Sequence, residues 1–547
     1  MPSISPASGS LGIKKAAHLL RRIGFGPTKA EIDSFAQKSI QQAVNDVLKP
    51  AIQPPPPLDP AVGVSWLSPG YNNPEPDKGS FDRYIFSWWM EQMRSGSNII
   101  AEKMVFFHHT HFTTIASRMK DNEALYYQNA LFRYYALGNF KVLAKKICLD
   151  NAMLKHLDGH LNEKGRPNEN FAREFLELYS IGKGEQVGPE DYTNYTEADI
   201  QEAAKVLSGY GYDKTFGNPD PDCGIPIGII KSNDGTYASR HDGSTKQFSA
   251  AFQNKTIAPI EVVEGKVTIE NTLEELDQLV NMIFEQPETA RHICRKLYRF
   301  FVYYKIDDAI ENDIITPLAN TFRQNDYEIL PVLTQLFQST HFYDMDNAVE
   351  QDDNIGAIIK SPLELVIGTI RFFKNEVPDY QSDAEAFYEY YKILLKQAAD
   401  QGLDLYEPFE VAGYAAYHQR PGYNRNWISA NYLALRYQYV ARILSGLNPD
   451  NGIDLDVLAY VDNTSHVQDP SDPDSIVSSL VDYLLPEEIP EERYQYYKDV
   501  VLKDTLSTIN WQFEWQNYKQ SGDGSAVRAQ LENLVIAITQ SPEYQLS

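Results

Sequence analysis

Three of the eleven histidines crowd into one short run, Phe106-Phe107-His108-His109-Thr110-His111-Phe112. Neutral imidazole ligates zinc, iron, copper or nickel, and it is also a natural general base near neutral pH. On a helix, His108 and His111 share a face while His109 and His111 diverge. At a helix end or in an extended piece, His109 and His111 could converge on one ion. A pair is not a site, and a third ligand has to come from elsewhere. The run Arg240-His241-Asp242-Gly243 offers His241 as that ligand, with Asp242 beside it. Three roles stay open for the cluster: a divalent-metal site of His109, His111 and His241, acid–base work, or buried structural service.

A second constellation is Pro167-Asn168-Glu169-Asn170-Phe171-Ala172-Arg173-Glu174-Phe175-Leu176-Glu177-Leu178. Pro167 stands where a helix begins, and Asn168 is a good N-cap. At helical spacing, Asn170, Arg173, Glu174 and Glu177 form one polar stripe beside an apolar stripe of Phe171, Phe175 and Leu178. Two readings follow: a solvated face with Glu169 and Arg173 paired one turn apart, or a buried stripe in which Arg173 orients a carboxylate. The third constellation, Tyr195 to Glu202, has Thr196 and Asp199 at capping-box spacing, and Glu202 follows one turn on. The catalytic candidates are therefore His109, His111, Asn170, Arg173, Glu174, Glu177, His241 and Asp242. A nucleophile elbow, phosphate loop, dinucleotide fingerprint and His-Glu-x-x-His motif are all missing, which removes the main support for serine-hydrolase and nucleotide-dependent chemistry.

The elements that must position these groups are helices. Leu11 to about Leu48 reads as two or three short helices, and Pro54 to Pro57 marks a linker or surface loop running to about Lys78. Long amphipathic helices follow from Ser80 to Asp150, then a loop from Asp158 to Pro167, then helices over Asn168 to Ile181 and Thr196 to Leu207. Residues 211–260 are dense in Gly, Pro, Asp and Asn. Within them, Gly228 to Tyr237 resembles two short strands around an Asp-Gly turn. Helical periodicity returns near Leu273 and includes Ala290 to Val302, Pro362 to Phe373 and Asn426 to Leu444. The expected fold is mainly α, a large multi-helical body with a small β-hairpin or loop excursion around residues 211–260. Its expected division is a lobe of residues 1–260 and a lobe of 261–547, or one continuous domain.

The 547 residues carry a net charge of −26, which repels phosphate backbones and anionic lipid and so argues against nucleic-acid binding. Cys148, Cys223 and Cys294 are far apart and imply neither a disulfide framework nor a metal motif. No stretch is long and apolar enough to span a bilayer. The first residues lack a signal-peptide pattern, so the expected compartment is the cytoplasm, or outside it if the chain is a mature form.

Taken together, these motifs resemble an uncharacterised bacterial family labelled domain of unknown function 1800, over nearly the whole chain. The resemblance rests on Ala17 to Arg22 with Gly24 to Thr28, on His109 to Phe112, and above all on the Asn168 to Glu174 run. Tyr195 to Gly209, His241-Asp242, Ala290 to Val302, Lys360 to Glu364 and Pro408 to Trp427 match further landmarks. The sequence departs from the family pattern at Thr110, where Asn is frequent, and at His108, where an aromatic is usual. Family members are often exported and often encoded beside an alkaline-phosphatase-like family, which implies envelope or extracellular work and such a partner. The expected function is an enzyme using a His/Glu/Arg polar cleft for metal-assisted or general acid–base chemistry, of hydrolase or lyase type, on an envelope or extracellular substrate. The alternative is a non-enzymatic structural or assembly protein of the envelope with a buried polar network.

Overall fold

The computed structural model describes residues 2–95, 99–189, 191–264, 266–346, 354–444, 452–504 and 506–547. Helices dominate them, and the strands are confined to four two-stranded antiparallel pairs. The N-terminal expectation takes the form of helices Gly12–Ile23, Lys29–Ala36 and Ile40–Val47. The second and third of these begin with full capping boxes, from Thr28 with Glu31 and from Ser39 with Gln42.

The 211–260 stretch is the irregular excursion expected, with one change of partner. Tyr210–Gly211 pairs with Ile229–Ile230, and Lys246–Gln247 pairs with Thr256–Ile257. The Asp234-Gly235 turn forms, because the Asp234 carboxylate accepts from the Thr236 and Tyr237 amides at 2.9 Å and Gly235 takes φ +77°. The turn closes only a single bridge, Ser232 to Ala238, because Ile229–Ile230 is already committed to the earlier segment.

The buried apolar side chains form one contiguous cluster that reaches from Ala7 to Tyr544. Polar side chains cross the interior as well. The Lys103 ammonium meets the Glu364 carboxylate, and the Arg22 guanidinium donates to the Val302 carbonyl at 3.1 Å. One contact is closer than side chains permit. Gly26 has φ +101°, and a Cβ there would lie 2.4 Å from the Gly368 Cα. The loop after the first helix thus lies directly on the Pro362–Phe372 helix. No helix among the described residues is long and apolar enough to cross a membrane.

Candidate functional site

The helix Ile99–His111 decides the fate of the histidine run. Every residue from Ile100 to His111 is buried, and the helix stays regular to its last histidine. Successive residues turn by about 100°, so His109 and His111 point roughly 200° apart. His109 enters an aromatic box of Trp89, Tyr406 and Tyr414, with neither ring nitrogen hydrogen-bonded. Burial, with His156 adding to it, pulls its pKa down to about 3. His108 is also buried, against Phe132 and Phe140, and burial brings it to about 3.

His111 emerges differently. Its Nε2 lies 3.0 Å from the Tyr179 carbonyl, and its Nδ1 lies 3.0 Å from the Lys296 Nζ. A carbonyl only accepts, so Nε2 carries the proton and Nδ1 is the lone-pair nitrogen. Lys296 donates to that lone pair and, at 2.8 Å, to the Leu178 carbonyl. Burial, and then the neighbouring Arg299 charge, lower the Lys296 amine from 10.5 to about 7.

The two carbonyls, of Leu178 and Tyr179, lie just past the Asn168–Glu177 segment, on the same run of helix. The α-helix Asn170–Glu174 passes into a π turn, Phe175–Tyr179. Past it, Ser180 Oγ takes the Phe175 carbonyl and the Gly182 amide takes the Leu176 carbonyl. Leu178 and Tyr179 keep theirs for Lys296 and His111, as expected of the orphan acceptors at a helix end. Gly182 makes this ending possible, since it has φ +76° and a Cβ would lie 2.6 Å from the His292 Nδ1.

The charged stripe of that segment points elsewhere. Arg173 makes a bidentate pair with Glu197 at 2.8 and 2.6 Å, and Asn170 is exposed. Glu177 pairs with Lys183 at 2.6 Å. Glu174, half-buried beside Glu177, is raised by burial and by that neighbour to about 7. Asp199 closes its capping box and also accepts from Ser249, so its role is local architecture. His241 donates from Nδ1 to the Ser208 carbonyl at 2.9 Å. Its Nε2 faces the Glu275 carboxylate at 3.1 Å, where Lys246 also binds. The Asp242 amide donates to Ser208 Oγ, which anchors the same loop.

The expected ligand set is therefore corrected. His109, His111 and His241 occupy three separate environments, because the helix diverges the first two and a fully buried ion pair holds the third. Among the described residues, no group of three or more His, Cys, Asp or Glu side chains is placed to hold a metal ion.

What lies beside His111 and Lys296 is a cavity of about 50 Å³, lined also by Phe107, Arg299, Phe300, Ser361, Glu364, His418, Tyr423, Asn424 and Trp427. Through Arg299, Tyr304 and Tyr423 it shares walls with an outer cleft of about 720 Å³. The helix Pro287–Phe301 contributes Lys296, Arg299 and Phe300 at adjacent-turn spacing, and Ser361 and Glu364 form the capping box of Pro362–Phe372. None of Lys296, Arg299, His418 or Asn424 is among the sequence candidates. The signal that reaches them is the set of later family landmarks, Ala290 to Val302, Lys360 to Glu364 and Pro408 to Trp427, which all contribute to this cavity. A family model described as Protein of unknown function (DUF1800) matches residues 18–546. No curated protein and no solved structure matches the chain.

Proposed function

We propose, for a chain that belongs to the DUF1800 family of proteins of unknown function, that this cleft is an active site in which Lys296 moves a proton. The observation that carries the reading is the bonding of the Lys296 amine. As a free amine it has two N–H groups and one lone pair. Both N–H groups are committed, to the Leu178 carbonyl and to His111 Nδ1, so the lone pair is left for the cavity that Lys296 lines. A base whose pKa lies near the working pH transfers protons most effectively, and about 7 is such a value.

In this mechanism His111 is a positioning residue. Its Nε2–H bond to the Tyr179 carbonyl fixes the tautomer, and the tautomer fixes which Lys296 hydrogen faces it. Lys296 takes a proton from a substrate C–H or from water and holds it as the third N–H of the ammonium. Arg299, one helical turn away, stabilises the negative charge left behind. The reaction class is lyase-type elimination when the proton comes from carbon, and hydrolysis when it comes from water. The metal-assisted route has no such support, because its three expected ligands lie apart. An envelope or extracellular substrate, and an alkaline-phosphatase-like partner, belong to this proposal on the family resemblance alone.

A non-enzymatic structural role is the second reading. It is favoured by fully enclosed ion pairs away from the cleft, such as Arg133 with Glu102 and Lys246 with Glu275. Turnover assays over a panel of acidic and neutral oligosaccharides and esters, followed by unsaturated-product absorbance and released acid, separate the two. Turnover that drops by about 100-fold or more in Lys296→Met supports the enzyme, since general acid–base groups contribute about 10²- to 10⁴-fold. Turnover that survives in Lys296→Met refutes the assignment, and silence across the panel favours the structural role.

A further inference from the structure

We infer that the inner cavity is a seat for an oxyanion, a carboxylate or a phosphate or sulfate ester, gripped by Arg299 and Asn424 on a ligand whose body is neutral and hydroxyl-bearing. Calling that ligand the substrate rests on the acid–base reading above; the binding does not.

The charge arithmetic runs against the molecule as a whole. The chain carries −26, yet among the described residues the only carboxylate lining the inner cavity, Glu364, is neutralised by Lys103. Arg299 has no ion-pair partner among the described residues. Its Nε donates to the Tyr304 carbonyl at 3.3 Å and its guanidinium lies over the Tyr423 ring at 5.0 Å. Burial, and the nearby positive charges of Arg420 and Arg295, lower its pKa. A half-buried guanidinium in that position gains from an anion what it loses from water. Asn424 is a second, independent sign. It is 7% exposed, it lines the same cavity, and its Nδ2 has no hydrogen-bond partner among the described residues. An unmade buried hydrogen bond is costly, and an oxyanion would supply the acceptor.

Volume and wall chemistry define the rest of the ligand. About 50 Å³ admits an anionic head and little more, whereas the adjoining cleft of about 720 Å³ can hold a sugar-sized body. That outer cleft mixes signs. Lys305, Arg420 and Arg425 line it together with Glu185, Asp307 and Asp308, all exposed. A body of either net charge would meet like charges there, and a neutral, hydroxyl-bearing body would not.

Calorimetric titration of the full chain at pH 7 with glucuronate, inorganic phosphate and glucose tests this. Glucuronate or phosphate should bind and glucose should not. The affinity should fall as sodium chloride rises and should drop roughly 10- to 100-fold in Arg299→Gln, the loss of a charge-assisted bond. Asn424→Asp, which puts a like charge in the seat, should abolish binding; circular dichroism of both variants checks that they remain folded. Binding of glucuronate without phosphate identifies a carboxylate, and the converse a phosphoryl or sulfuryl group. The inference is overturned if neither anion binds, if glucose binds equally, or if a folded Arg299→Gln protein retains full affinity. Lys296→Met separates the two claims. Binding lost in Arg299→Gln beside turnover retained in Lys296→Met leaves the seat standing and removes the base.

Discussion

A lysine near neutrality makes a quantitative demand on its own reactivity. At pH 7 a lysine at the ordinary 10.5 is neutral in roughly one molecule in 3,000, whereas one at about 7 is neutral in about half. Lys296 should therefore acylate on the order of a thousandfold faster than a freely exposed lysine at that pH, less whatever the narrow cavity costs in access. Brief treatment with limiting acetic anhydride between pH 5.5 and 9, followed by peptide mapping, reads this out with the surface lysines as internal controls. The Lys296 labelling midpoint should fall near 7, and Arg299→Met should move it upward, because after burial it is the Arg299 charge that holds it down. The same shift appears in stability. The unfolded chain binds the extra proton between about 7 and 10.5, so the folded state is penalised fully below about 7 and recovers as pH rises toward 10.5. Lys296→Met should therefore compare better with wild type at pH 6 than at pH 10 in urea unfolding. A labelling midpoint near 10, or a stability difference that ignores pH, refutes the reasoning.

Other sites give independent checks. Arg133, fully buried, holds Glu102 through two bonds of 2.7 and 2.8 Å. Arg133→Met should cost about 3–5 kcal/mol in urea unfolding by stranding the carboxylate, and adding Glu102→Gln should restore part of it. Asp150 is raised by burial to about 7 while accepting from the Met153 amide and Gln128 at 2.8 Å. A folded-state pKa above the unfolded 3.8 makes its contribution complete below about 4 and lost as pH rises through about 7. Thermal melts of Asp150→Asn should accordingly gain on wild type between pH 4 and pH 8. Gly26→Ala should lower stability by about 2–4 kcal/mol, combining a left-handed backbone with a clash on Gly368; an unchanged melting temperature would contradict the close approach.

The helical body was legible in the sequence because caps and periodicity are local. Thr28, Ser39, Thr196 and Ser361 each start a helix with a full capping box. The nearness of His111 to the helix that begins near Asn168 was legible as well, although the contact falls at Tyr179, past Glu177. The manner of meeting was not. The Arg173 and Glu177 charges draw the eye, yet they are satisfied by Glu197 and Lys183. The contacts are made instead by the backbone carbonyls of Leu178 and Tyr179, which carry no residue code. Lys296 escaped for a related reason. On the strongly amphipathic Pro287–Phe301 helix it reads as one more cation on the polar face among Arg291, Arg295 and Arg299. Only packing shows that Arg295 is bound by Glu288 and Glu311 while the partly buried Lys296 is held by the Leu178 carbonyl and His111.

The π turn at Phe175–Tyr179 has a consequence for how such a protein can vary. A π turn is an α-helical turn with one residue too many. Deleting one residue within it would let ordinary α winding resume, and the Leu178 and Tyr179 carbonyls would leave the helix end in new directions. Both carbonyls would then leave Lys296 and His111 at once. The number of residues in this turn therefore matters to the Lys296 and His111 contacts as much as its side chains do.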